Sequence, residues 1–136
     1  MGTIPMARNS APIEHPFMLP KGDDCYCLFP DELENDPLVL FHGTAAINLP
    51  SILGEGFRPR KALASSSFAN QSSLSLGYAC EARCEESPDG VVIAVRFEAV
   101  NIRGIRREPF GIHLDDHRIQ PAIFSYCIVP AGYLFQ

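Results

Sequence analysis

The sequence predicts an α+β domain built on a mixed sheet with about two short helices, and three apolar runs carry that expectation. Val91-Val92-Ile93-Ala94-Val95-Arg96-Phe97 and Ala122-Ile123-Phe124-Ser125-Tyr126-Cys127-Ile128-Val129 are rich in β-branched and aromatic residues, the composition of strands. Leu38-Val39-Leu40-Phe41-His42 is shorter, follows a proline, and reads as a buried strand. Strands dominate, and the helical signals lie between the early ones.

Taken in order, residues 1–35 form a Pro-rich N-terminal arm, with Pro5, Pro12, Pro16, Pro20 and Pro30 fixing φ and removing donors. Phe17, Met18, Leu19, Leu28 and Phe29 give this arm apolar points with which to pack on the domain that follows, residues 36–136. After the first strand, Asn48 is placed as an N-cap and Pro50 in the first turn of a helix, which Gly54 and Gly56 close, Gly56 in a left-handed conformation. Leu63 to Phe68 suggests a weak, serine-rich strand. Ser72 or Ser73 then caps a helix that runs through Leu74 and Tyr78 to about Cys84, before Ser87-Pro88-Asp89-Gly90 ends it. Arg103 to Arg118 reads as shorter strands and polar loops, and Pro130 ends the last strand.

The 136 residues allow one domain, and 46% hydrophobic against 20% charged residues is the balance of a folded core. A net charge of -5, from 16 acids and 11 Lys+Arg, argues against a phosphate-backbone binder, which needs clustered cations. No apolar run approaches the roughly 20 residues of a membrane-spanning helix. The first twenty residues have proline and charge where a secretory leader is continuously apolar, so the expected setting is cytoplasmic or nuclear. Five cysteines, Cys25, Cys27, Cys80, Cys84 and Cys127, are an odd number and read as reduced, mostly buried thiols. The single-residue spacer of Cys25-x-Cys27 fits zinc poorly.

The familiar catalytic signatures are absent: no G-x-S-x-G elbow, no Walker loop, no H-E-x-x-H. Gly54-Glu55-Gly56 ends a helix instead of joining strand to helix, so it is no dinucleotide loop. What stands out is Phe41-His42-Gly43-Thr44 at a strand end. There a histidine either meets a ribose hydroxyl or is a satisfied buried group, and a glycine beside it bares the backbone to a ligand.

The stretch LVLFHGTAAINLPSILGEGFRP resembles the first strand and helix of the ADP-ribosyltransferase catalytic fold, in its diphtheria-toxin and poly(ADP-ribose) polymerase branch. Asn48, Ile52, Leu53, Gly56 and Phe57 fall in register with that family's helix. Ser67-Phe68-Ala69 followed by Ser73-x-Ser75-x-x-Tyr78-Ala79-Cys80 resembles its next block. Gly90 to Val95 and Ser125 to Pro130 are similar to its central and closing strands, so the likeness covers about residues 36–136.

The resemblance implies a fold of split, mixed and antiparallel sheets, and NAD+ as substrate. It implies that His42 holds the adenine-side ribose, that Gly43 binds the nicotinamide amide through its backbone with Thr44 beside it, that Ser75 adds a hydroxyl to that amide, and that Tyr78 stacks on the nicotinamide ring. Ser67 and Phe68 belong to the same cofactor-binding block. Nicotinamide then leaves through an oxocarbenium-like state. Two positions depart from the pattern: Ser67 stands where the family has a tyrosine, and Tyr126 where it has a catalytic glutamate. A phenol does not supply a carboxylate's charge to a developing cation, so transfer of a single ADP-ribose to a protein acceptor is the expected reaction. A stand-alone toxin or effector, delivered into a host cell, fits that economy. The alternative is an inactive module of the same fold that serves protein–protein interaction. An RNA 2′-phosphotransferase relative ranks third, for want of basic residues around Ser67.

Outside these positions, Glu108, Asp115, Asp116 and Gln120 are loop candidates for reaching the site, though solvated roles are expected. Arg103, Arg106, Arg107 and Arg118 form the cationic cluster, a candidate for diphosphate or an acidic target. His113 and His117 flank Asp115-Asp116 as a weak metal or acid–base group.

Overall fold

The computed structural model describes residues 11–19, 27–58, 66–103, 105–109 and 111–134. In chain order the elements are β1 (Ile13–Glu14), α1 (Asp31–Glu34), β2 (Val39–Ala45), a 3-10 turn (Ala46–Asn48), α2 (Leu49–Glu55), β3 (Ser66–Phe68), α3 (Ser72–Ala82), β4 (Gly90–Arg96), α4 (Ala99–Ile102), β5 (Arg106–Glu108), β6 (Gly111–Leu114) and β7 (Ala122–Val129). The class is α+β. One sheet has the order β1-β7-β4-β2, parallel between β1 and β7 and antiparallel elsewhere, and a smaller antiparallel sheet runs β3-β6-β5. The two meet where Phe41 and Ala69 exchange backbone hydrogen bonds, both 2.8 Å.

β4 shows why its sequence is apolar without alternation: both faces are covered. Val91, Ile93 and Val95 join Leu40, Phe57, Phe68, Ile112 and Leu114 in one buried cluster, shared with the small sheet. Val92 and Ala94 join Phe41, Leu76, Ala79, Cys127 and Val129 in a second, under α3. β2 divides its residues between the same two clusters, Leu40 to the first and Val39 and Phe41 to the second.

Helix α3 lies directly on backbone. A Cβ at Gly43 would collide with the Ser75 carbonyl and come within 2.9 Å of the Ala79 nitrogen, and one at Gly90 would come within 2.6 Å of the Ala79 oxygen. Small residues on both partners permit this approach, which puts Ser75 against β2.

The arm packs on the domain through Phe17, Leu28 and Phe29, whereas Met18 and Leu19, expected to do the same, stay exposed. Ile13 and Glu14 pair with Ser125 and Tyr126 of β7. Leu28 and Phe29 are buried. The Glu34 carboxylate accepts from the Leu28 N–H (3.1 Å), the Phe29 N–H (3.0 Å) and the Ser72 hydroxyl (2.6 Å). Residues 1–10 and 20–26 lie outside the described residues, as do 59–65, which include the start of the second expected strand.

Three local expectations need correction. Helices α1 and α4 bring the total among the described residues to four, two beyond the expected pair. α1 is a single turn opened by Pro30 and carrying acids in its first turn, where the helix dipole favours them. Asn48 does not cap α2: the preceding 3-10 turn already makes it helical, and its Nδ2 donates to Thr44 Oγ1 at 2.9 Å. The buried Ser87 hydroxyl instead accepts the Ile47 N–H, at 3.0 Å. Ser72 caps nothing either, because its hydroxyl is engaged by Glu34 and accepts the Leu28 N–H at 3.1 Å. Gly56, by contrast, ends α2 at φ 80 as expected.

Cys80, Cys84 and Cys127 are free thiols, and of the described cysteines only Cys127 is buried, so the expectation of mostly buried thiols fails; Cys25 lies outside the described residues. Burial, with the Glu14 carboxylate adding to it, pushes the Cys127 thiol up to about 11. Brief alkylation of the native protein at about pH 8 should therefore modify exposed Cys84 and spare Cys127 until the chain unfolds, as peptide mass mapping would read. Labelling of Cys127 as fast as Cys84 would contradict this packing.

Candidate functional site

Pleating places His42 on the same face of β2 as Leu40, toward the small sheet. Its ring packs edge-on to Phe57 (5.1 Å between centroids) and tilted against Phe68 (5.5 Å). His42 Nδ1 lies 2.6 Å from the Ser67 carbonyl oxygen. A carbonyl only accepts, so Nδ1 is the donor of this bond.

This imidazole stands in a cavity of about 590 Å³, within the usual size range of small-molecule sites. Strand β2 contributes His42, Gly43 and Thr44, the 3-10 turn Asn48, and α2 with its exit Ser51, Ile52, Glu55, Gly56, Phe57 and Arg58. The facing walls are Ser66, Ser67 and Phe68 of β3, Ser75 and Tyr78 of α3, and Gly111 and His113 of β6. The α2 exit is held from β7's approach: Gln120 accepts the Phe57 N–H and donates to the Phe57 carbonyl, both at 2.9 Å.

Seven sequence-chosen positions, His42, Gly43, Thr44, Ser67, Phe68, Ser75 and Tyr78, thus line one cavity. Gly43 lies inside β2 instead of beyond its end, and its lack of a side chain is demanded by α3 whatever else it does. Ser75 is 1% exposed, and its hydroxyl is the one buried side-chain polar atom among the described residues that has no hydrogen-bond partner. Leaving such a group unpaired costs about 1–3 kcal/mol. Tyr78 also lines the cavity and is 48% exposed.

Tyr126 is placed differently. It shares a row with His42 across the sheet, through Ile93 of β4, but it stands two strands away, roughly 9.5 Å at ordinary strand spacing. It packs half-buried against the inner cluster and does not line the cavity.

The charged loop candidates are used elsewhere. Arg106 forms a bidentate pair with Asp115 (2.9 and 3.0 Å) and also binds Glu108, while Arg118 chelates Asp116 (2.9 and 3.0 Å). These guanidiniums hold the Asp115 and Asp116 carboxyls below the usual carboxylate range. None of Arg103, Arg106, Arg107 and Arg118 lines the cavity; among the described residues the arginine that does is Arg58. Arg58, Asn48, Ser51, Glu55 and His113 were not selected by sequence as wall residues. Their one shared sequence signal is the helix and its Gly-Phe exit, which carries Asn48, Ser51, Glu55 and Arg58 past the strand end together.

No family model matches this chain, and no curated protein matches it in sequence.

Proposed function

We propose that the cavity binds NAD+ and that the protein is a mono-ADP-ribosyltransferase, passing ADP-ribose to a protein acceptor and releasing nicotinamide. The observation that carries this reading is the Ser75 hydroxyl, buried and unpartnered on the wall it shares with the Gly43 backbone and Tyr78. A carboxamide supplies both a donor and an acceptor, which is what an orphan hydroxyl and a bare strand segment can pair with. The Tyr78 ring beside them offers a face for an aromatic ring. His42, held through Nδ1, presents its other nitrogen to a ribose hydroxyl. The glycosidic bond then breaks with its electron pair on the nicotinamide nitrogen.

A second reading, an inactive module, is favoured by one observation: Tyr126, which the resemblance aligns with the family's glutamate, does not line the cavity. The RNA reading stays third, because Arg106 and Arg118 are engaged by carboxylates.

Melting curves recorded across an NAD+ titration test the primary reading. Saturable stabilisation is expected, about 2.7 kcal/mol at a hundredfold excess over Kd. Tyr78→Ala should weaken the apparent affinity roughly tenfold and Tyr78→Phe hardly at all, since the face and not the hydroxyl makes the contact. A melting temperature indifferent to millimolar NAD+ would remove the proposal. Stabilisation without label transfer from labelled NAD+ to any lysate protein would favour the inactive module.

A further inference from the structure

Ser67 holds two histidines. Its carbonyl accepts from His42 Nδ1, and its hydroxyl lies 3.2 Å from Nδ1 of His113, its register partner on β6. With Nδ1 turned to Ser67, the Nε2 edge of His113 lies over Gly111, 3.4 Å from where a Cβ on that glycine would sit. Gly111 and His113 both belong to the cavity wall.

We propose that His113 is the base of this site, taking the proton of a hydroxyl acceptor as its oxygen attacks the ribose carbon, so that hydroxyl-bearing molecules are the acceptor class. This rests on the NAD+ reading above. The acceptor oxygen forms a bond to the anomeric carbon, and the glycosidic C–N bond breaks with its electrons left on nicotinamide, which departs neutral. The acceptor's proton passes to His113 Nε2 and then to solvent.

The other titratable wall residues fit the task less well. His42 donates from Nδ1 to the Ser67 carbonyl, and in the NAD+ reading its Nε2 is already committed to a ribose hydroxyl. The Arg58 guanidinium offers donors only, and Tyr78 is assigned to the nicotinamide ring. Glu55 is exposed and borders a second, shallower cavity beside Gln120 and Pro121. His113 is half-buried and held. The groups facing it are Ser67 from β3, Arg106 opposite on β5 and Asp115 just past the end of β6. Arg106 and Asp115 are paired with each other, so they present His113 with a compensated background.

Water, the simplest hydroxyl acceptor, makes the test independent of an unidentified protein. Nicotinamide release from NAD+ would be followed from about pH 5 to 9 for wild type, His113→Gln, His113→Asn and Ser67→Ala, with NAD+ binding read separately by thermal shift. Because the base must be unprotonated, the wild-type rate should rise as pH climbs through the imidazole range. Both His113 variants should bind NAD+ as wild type does within about twofold, release nicotinamide about 100-fold more slowly, and lose that rise. Ser67→Ala, which keeps the carbonyl under His42, should slow release about tenfold with the pH rise retained. In His113→Ala, added imidazole should restore part of the rate, which a merely structural role would not allow.

Wild-type rates and pH profile in the His113 variants would overturn the proposal while leaving NAD+ binding intact. So would abolition by Glu55→Gln alone, or a wild type that binds NAD+ and releases no nicotinamide. A wild type that does not bind NAD+ overturns the proposal and the reading beneath it together.

Discussion

Gly43→Ala should lower stability by about 3 kcal/mol or more, a loss of roughly 10 °C in Tm for a domain of this size, with no ligand present. The added methyl would meet the Ser75 carbonyl and the Ala79 nitrogen, which are helix backbone and have no rotamer by which to move aside. Either α3 lifts from the sheet, opening the cluster around Phe41 and Leu76, or β2 bends. Restricting the unfolded chain by removing a glycine gives back less than about 1 kcal/mol. Gly54 is the control: nothing lies within 4 Å of a Cβ there, and the residue is inside α2. Gly54→Ala should therefore stabilise, by about 0.5–1 kcal/mol. Chemical denaturation of both variants decides the matter, and equal effects from the two would show that α3 does not rest on Gly43. The prediction also separates two roles of one residue, since this loss precedes any encounter with NAD+.

The second large effect falls on ligand binding. His42→Ala should weaken NAD+ about 10- to 100-fold, because losing a hydrogen-bond partner for a buried ligand hydroxyl costs about 1–3 kcal/mol. At a fixed NAD+ concentration near a hundredfold excess for wild type, the thermal shift of the variant should nearly vanish. The ring also packs on Phe57 and Phe68, so the variant's own melting temperature will fall and must serve as its baseline. His42→Asn retains a polar side chain of smaller reach and should lie between the two. An undiminished shift in His42→Ala would take the imidazole out of the binding site.

What the sequence disclosed, and what it hid, follows from the range of the forces involved. The runs that became β4 and β7 were legible because burial on the sheet needs only apolar, branched residues in a row, and Ala122–Val129 has the expected bounds. Gly56 was legible because a positive φ after a helix has a local chemical signature. Asn48 and Ser72 misled because capping is only one use of a short polar side chain. Thr44 lies four residues from Asn48, but Glu34 is 38 residues from Ser72, and no local pattern announces such a partner. The same holds in the site: motif spacing gathered His42, Ser75 and Tyr78, while His113 arrives from β6 across a pairing with Ser67 that only the folded sheet creates. Arg58 was obscured for the opposite reason, standing apart from the arginine cluster that composition makes conspicuous.

The reciprocal bond between Phe41 and Ala69 sits one residue before His42 and one after Phe68. It acts as the spine of a clasp. It ties the two sheets where His42 and Phe68 enter the cavity wall, so the spacing of those two side chains is set by main-chain hydrogen bonds and not by side-chain packing alone.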